Sequence, residues 1–371
     1  MKLFTSTCCI VLLSTIAVEA QKLNLLIGTY TNPGKSEGIY VYEFDASKGK
    51  ASYKNQAPGL SRPAYLTINK EQNRVYAVHE LNEGKGKVSA FAFDKTSGAL
   101  SLLNEKPSHG DDPCHITIDK DNKHVFVSNY SGGSLAVFPI QKDGSLGDAV
   151  QTEIYKANGT KKGRQEKSHA HSAVLSPKED YLFVSDLGNN EVLAYKYSDD
   201  GKTPLSMANV TKSPEGSGPR HFVFHPNKDF AYSVQELTCS ITAYNYKDGK
   251  LNSLQNISTL PPDHKGEKSS ADIHISPDGK FLYASNRWDA HSIAMFSIGK
   301  DGTLTSIGWQ STLGKTPRNF VIDPTGKFLL AANQETDEVV IFRRNSKTGL
   351  LADTGERIKV YAPVCLKFGG K

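Results

Sequence analysis

The stretch Gly218–Leu237, GPRHFVFHPNKDFAYSVQEL, reads as two short strands about a tight turn. Arg220 and His221 open the first run, Phe222–Phe224 continue it, His225–Asp229 turn the chain, Phe230–Val234 return, and Gln235 and Glu236 close. In an antiparallel hairpin the start of one strand and the end of the next lie on the same edge. The polar residues Arg220, His221, Gln235 and Glu236 are therefore expected to share one face.

This hairpin recurs. RPAYLTINKEQNRVYAVHEL, DPCHITIDKDNKHVFVSNY, AHSAVLSPKEDYLFVSDL, SADIHISPDGKFLYASNR and TPRNFVIDPTGKFLLAANQ align with it, the positions equivalent to Pro219 being 63, 113, 170, 219, 270 and 317. Each copy is followed by a third alternating strand, as at Lys87–Phe93, Ser134–Pro139, Glu191–Tyr197, Ser240–Tyr246, Ser292–Ile298 and Glu338–Arg343, and then by a fourth. Four short strands per unit, a unit of about 40–50 residues and no helical period specify an all-β fold, a β-propeller. A partial copy, Asn24–Tyr30 followed by Gly38–Phe44, brings the count to seven blades. Its missing inner strand is expected from Pro363–Phe368, PVCLKF, which would pair the C-terminus with the N-terminal blade and close the ring. Lys156–Ser168 is the longest polar insertion and is expected to be a solvated loop.

Outside the repeat, Met1-Lys2, the apolar run through Ile10–Leu13 to Val18, and Val18-Glu19-Ala20 read as a secretory signal peptide, residues 1–20, cut after Ala20. Residues 21–371 are then expected to form a single propeller domain that is secreted or periplasmic. Beyond the signal, Cys114, Cys239 and Cys365 are odd in number and sparse, which argues against a disulfide scaffold and for single buried thiols. A mean hydropathy of −0.43 and the lack of another long apolar run argue against a membrane span. The net charge of +5 is too small to argue for nucleic acid, but it suits an anionic small molecule if focused in a cleft. A monomer or weak dimer is expected.

In a propeller the first strand of each blade lines the axis, so the polar edge of the hairpin becomes a ring around one channel mouth. At the Arg220 position the other copies carry Ala64, Cys114, His171, Ala271 and Arg318; at the His221 position, Tyr65, His115, Ser172, Asp272 and Asn319. At Gln235 they carry His79, Asn129, Asp186, Asn286 and Asn333, and at Glu236, Glu80, Tyr130, Leu187, Arg287 and Gln334. Strand cores repeat while these rim positions differ, as an asymmetric small-molecule site would require. Arg220, Arg287 and Arg318 present planar forks for carboxylate or phosphate oxygens. Glu236 and His171 are candidate proton-transfer groups. His169, His221, Gln235, Asn286, Arg318 and Asn333 are candidate substrate-binding residues. An inter-blade salt bridge between Glu236 and Arg287 or Arg220 is the purely structural alternative. His169 and His171 have no third ligand at a diagnostic spacing, so neither a metal nor any other cofactor is expected. G-x-S-x-G, P-loop and dinucleotide patterns are absent from the sequence.

GTYT at Gly28–Thr31, HAHS at His169–Ser172, GPRH at Gly218–His221, FHP at Phe224–Pro226, QEL at Gln235–Leu237, SPDGKFLYASNR at Ser276–Arg287 and PRNF…DPTGKFLLAANQ at Pro317–Gln334 together resemble the propeller lactonase family. That family contains the propeller-type 6-phosphogluconolactonases and the fungal carboxy-cis,cis-muconate cyclases, and the resemblance runs from about Asn24 to Phe368. It implies seven blades, no metal, and for the cyclase branch an acting set that falls on His171, Arg220, Glu236 and Arg287. His169 is the alternative histidine and Arg318 the alternative second arginine. The expected function is metal-independent hydrolysis of the ring ester of an anionic sugar lactone. The signal peptide departs from the phosphogluconolactonase picture, because that sugar phosphate is made in the cytoplasm. Three other functions fit the same mouth: a lactonising cyclase, a metal-dependent lactonase using Glu80, Asn129, Asp186, Glu236, Asn286 and Asn333, and a non-catalytic binding propeller.

Overall fold

The computed structural model describes residues 22–32, 34–157, 163–199 and 202–369. The expected signal segment, residues 1–20, lies outside them. The described residues form seven four-stranded antiparallel sheets arranged as the blades of a propeller. Blade 1 contains Lys22–Thr29, Gly38–Asp45 and Lys50–Pro58; blades 2 to 7 begin with inner strands at Pro63, Pro113, Ala170, Pro219, Ser270 and Pro317. Those six starts are the positions that the repeat aligns.

The ring closes as the sequence requires. Pro363–Phe368 pairs antiparallel with Lys22–Thr29, matching Leu25 to Phe368 and Ile27 to Leu366, and so becomes the inner strand of blade 1. Val364 and Leu366 are buried, and Phe368 packs on Phe44 with ring centroids 5.2 Å apart. The first and last described strands thus share one sheet, and neither leaves an unpaired inner edge.

Apolar residues alternate along the strands and meet between blades, where burial of aromatic area supplies the main favourable contribution. Phe183 of blade 4 and Phe222 of blade 5 stack with centroids 5.5 Å apart. A tyrosine also ties neighbouring blades: the hydroxyls of Tyr76, Tyr232 and Tyr283 donate to the carbonyls of Gly144, Gly302 and Gly349 in the next blade's outer turn. Gly302 has a φ of 84°, and a Cβ there would lie 2.6 Å from the Phe230 ring, so glycine serves both the turn and the packing. Cys114, Cys239 and Cys365 are all free and buried. Among the described residues no helix is long and apolar enough to cross a membrane.

One local feature positions the site. In Pro219–Phe224 the pairing jumps from Pro219–Gln235 to His221–Val234, so Arg220 is an extra residue in a bulge. The same break opens the inner strands of blades 2, 3, 4, 6 and 7. In a regular strand consecutive side chains point to opposite faces. The bulge instead aims two neighbours, Arg220 and His221, at the axis.

Candidate active site

Around the mouth, the bulged positions carry Ala64, Cys114, His171, Arg220, Ala271 and Arg318. Ala64 and Ala271 leave room that the larger side chains use. Arg220 is fully buried, and its Nη1 donates to Ala271 O at 2.5 Å and to His221 Nε2 at 3.2 Å.

Glu236 lies at the centre of the cluster. Its Oε1 accepts from Arg164 Nη1 and Arg287 Nη2, each at 2.6 Å, and its Oε2 stands 2.9 Å from Arg220 Nε and 3.9 Å from His171 Nε2. Burial pushes the Glu236 carboxyl up, but Arg287, Arg220 and Arg164 outweigh it and hold the group well below the usual carboxylate range. Burial lowers the Arg220 guanidinium to about 10 against the pull of Glu236, which leaves it charged at neutral pH. Glu236 Oε2 and the Nε atoms of Arg220 and Arg287 are buried without a well-directed hydrogen bond. Unsatisfied polar atoms in a native interior mark a functional site or a store of strain.

His171 is buried beside Glu236. Burial first, then the nearby Arg220, His221 and Arg318, depress its pKa well below the ordinary histidine range, so the imidazole is neutral with a lone pair available. Its Nδ1 lies 3.7 Å from Cys114 Sγ, a thiol that burial keeps protonated. His169 sits one step back: its ring stacks on Tyr130 at 4.3 Å and its Nδ1 lies 3.0 Å from Tyr130 O. His221 forms the floor of the mouth. Since its Nε2 accepts from Arg220, its proton is on Nδ1, which donates to Asp272 Oδ1 at 2.7 Å. Burial lowers its pKa to about 4. Arg318 closes the opposite side, with Nη2 3.6 Å from Glu80 and its guanidinium 5.2 Å from the Tyr30 ring centre. The Tyr30 hydroxyl donates to the same Glu80 oxygen at 2.7 Å.

The structure therefore brings His171, Arg220, His221, Glu236, Arg287 and Arg318 together, with His169 just behind them. The other three candidates turn away. Gln235 accepts from Ser217 Oγ and donates to Thr242 Oγ1; Asn286 donates to Thr259 O and accepts from Thr259 and Ser270; Asn333 donates to Thr312 O. His79, Asn129 and Asp186 hold their own loops in the same way. This ring of buried polar side chains fastens the loop that enters each inner strand, so the expected sharing of a face holds for Arg220, His221 and Glu236 but not for Gln235.

That geometry bears on the alternative set of oxygen ligands. Asn129, Asn286 and Asn333 donate through their amide nitrogens to loop carbonyls, and the Asp186 carboxylate accepts from Ser168 and the His169 amide. Among the described residues no group of three or more His, Cys, Asp or Glu side chains could hold a metal ion.

Two contributors escaped the sequence reading. Arg164 lies in the insertion expected to be merely solvated; the short 3-10 turn Gly163–Gln165 carries it to Glu236 and to Tyr130, whose hydroxyl accepts from its Nη2 at 2.8 Å. Tyr130 occupies the Glu236 position of blade 3, but its value as a partner depends on Arg164.

Fold and mouth together define a seven-bladed propeller whose channel opens through an arginine-lined mouth. The chain belongs to the family described as lactonase, 7-bladed beta-propeller, which matches residues 24–368. It is 38% identical to the 6-phosphogluconolactonase of Bacillus subtilis, over 92% of this chain and 97% of that protein. A protein named 6-phosphogluconolactonase from Formosa agariphila is also 38% identical, over 91% and 96% of the two chains. The solved structure of the Pseudomonas aeruginosa periplasmic gluconolactonase is similar, with a TM-score of 0.90 and 34% identity across 94% of this chain and 99% of that one.

Proposed function

We propose that the protein is an exported, metal-independent lactonase that hydrolyses the ring ester of an anionic sugar lactone of the 6-phosphogluconolactone type. The observation that carries this reading is the charge balance at the mouth. Four guanidiniums, Arg164, Arg220, Arg287 and Arg318, face the two carboxylates Glu80 and Glu236, which leaves two positive charges in excess. Arginine forks suit both a phosphate and the oxyanion that forms when water attacks a carbonyl.

The electrostatics divide the roles. Glu236 is too weakly basic, among three guanidiniums, to take a proton from water. The neutral His171 is the base, and Glu236 stabilises the imidazolium that forms. His171 Nε2 removes a proton as the water oxygen bonds to the lactone carbonyl carbon, and Arg220 or Arg287 stabilises the resulting oxyanion. The ring C–O bond then breaks, the leaving alkoxide takes the proton from His171, and the acid product ionises. Export is supported by the composition of residues 1–20 and by the description of the Pseudomonas relative as periplasmic.

The test is acid release from phosphorylated and unphosphorylated sugar lactones by purified protein, followed with a pH indicator. The expected result is turnover of both with a lower KM for the phosphorylated compound. Equal KM values would remove the anionic-substrate reading, and no turnover on either would favour a binding propeller.

A further inference from the structure

The axis continues beyond His221. Tyr65, His115, His221, Asp272 and Asn319 occupy one level across the channel. The Tyr65 and His115 rings lie 4.5 Å apart, and those of His115 and His221 5.6 Å apart. On the far side is a second chamber of about 210 Å³, lined by Tyr65, Thr67, His115, Thr117, His274 and Lys367 among others. None of the residues placed in the proposed hydrolysis faces it except the His221 ring.

Its polar groups are mostly donors. Lys367, on the closing strand, lies with its Nζ 4.4 Å from the Tyr65 ring centre and 3.3 Å from the Tyr65 hydroxyl. Among the described residues it has no carboxylate within ion-pair distance. His115 is 93% buried, which holds the ring neutral, and its Nδ1 accepts from Ala173 N at 3.3 Å. Its proton is therefore on Nε2, which has no protein partner among the described residues. The one carboxylate at this level, Asp272, is saturated by His221, His274, Asn319 and the amides of Ile273 and Phe320. The His115 Nε2–H and the Lys367 ammonium thus line one cavity with no carboxylate paired to either among the described residues, an arrangement that favours an anionic ligand.

We propose that this far chamber is a second binding site, for a small oxyanion, held by the Lys367 ammonium, the His115 Nε2–H and the Tyr65 hydroxyl, with the Thr67 and Thr117 hydroxyls at its sides. The three adjacent blades 1, 2 and 3 supply it, whereas the arginine mouth draws mainly on blades 4 to 7. The proposal does not rest on lactone hydrolysis.

Selenate soaked into crystals of the full mature protein tests it by anomalous scattering, alongside calorimetric titration with inorganic phosphate. The expected result is an anomalous selenium peak about 4 Å from Lys367 Nζ, one selenate oxygen lying between them at hydrogen-bond distance. That peak should vanish in Lys367→Met, with phosphate affinity at this site at least tenfold weaker, while any peak at the arginine mouth persists. His115→Phe should weaken the site without removing the charge, which keeps the test open if Lys367→Met does not fold. Selenate at the arginine mouth alone, selenate nowhere, or a peak unaffected by either substitution would overturn the proposal.

Discussion

At the scale of single residues, the site turns on where a proton can go. Glu236 accepts hydrogen bonds from two guanidiniums and lies against a third, and in the proposed mechanism it therefore serves as a fixed negative charge and not as a base. His171, kept neutral by burial and by its cationic neighbours, can accept a proton that Glu236 then stabilises. Replacing His171 by Gln should therefore lower kcat by about 10²–10⁴ while leaving KM within a few fold, the usual worth of a general base. Steady-state kinetics on a phosphorylated lactone check this; an unchanged kcat would move the base elsewhere. The histidine was legible because HAHS sits at the repeat's rim, and Arg220 because the bulged position is occupied differently in each blade. The low basicity of Glu236 was not legible, since it depends on three arginines from separate segments meeting at one carboxylate.

At the scale of the structural element, the strands follow from local pattern and the loops do not. Pro363–Phe368 was readable as the closing strand because Val364, Leu366 and Phe368 alternate with more polar positions. Gln235, Asn286 and Asn333 misled for a related reason: alignment shows that positions are equivalent, but not which way a side chain turns at a strand end. Asn286→Ala should lower Tm by several degrees, since it leaves the Thr259 carbonyl and two hydroxyls short of a partner, at a cost of about 1–3 kcal/mol. Its KM should not change, and calorimetry with kinetics tests both halves. Arg164 lies in an insertion with no counterpart in the other blades, so no register could place it. Because its side chain is 41% exposed, its pairing with Glu236 is worth about 1 kcal/mol. Arg164→Ala should therefore cost about that much stability, and by removing one positive charge from the mouth it should raise KM for a phosphorylated lactone with kcat little changed. An unchanged KM would return that loop to the solvated role first expected of it.

At the scale of the whole molecule, closing the ring concentrates buried ionisable groups on one axis, and stability should depend on pH accordingly. His221, with its pKa lowered to about 4, and His115 and His171, lowered well below the ordinary value, bind fewer protons folded than unfolded. Their contribution is complete above the unfolded value of about 6.5 and is lost as pH falls below it, by up to about 1.4 kcal/mol per pH unit for each. Glu236 and Asp272, both depressed, add a further loss once pH falls below the usual carboxylate range. Thermal melts should show Tm falling steadily from pH 7 to pH 5, and a flat profile would contradict the buried neutral histidines. The central claim, that one mouth of this propeller hydrolyses an anionic lactone through its arginine–glutamate–histidine cluster without a metal, is tested most directly by acid release from a phosphorylated sugar lactone, using chelator-treated wild-type protein and Glu236→Gln. The account predicts full turnover by the treated wild type and a loss of more than tenfold in the variant. Turnover abolished by chelator, or retained in Glu236→Gln, would contradict it.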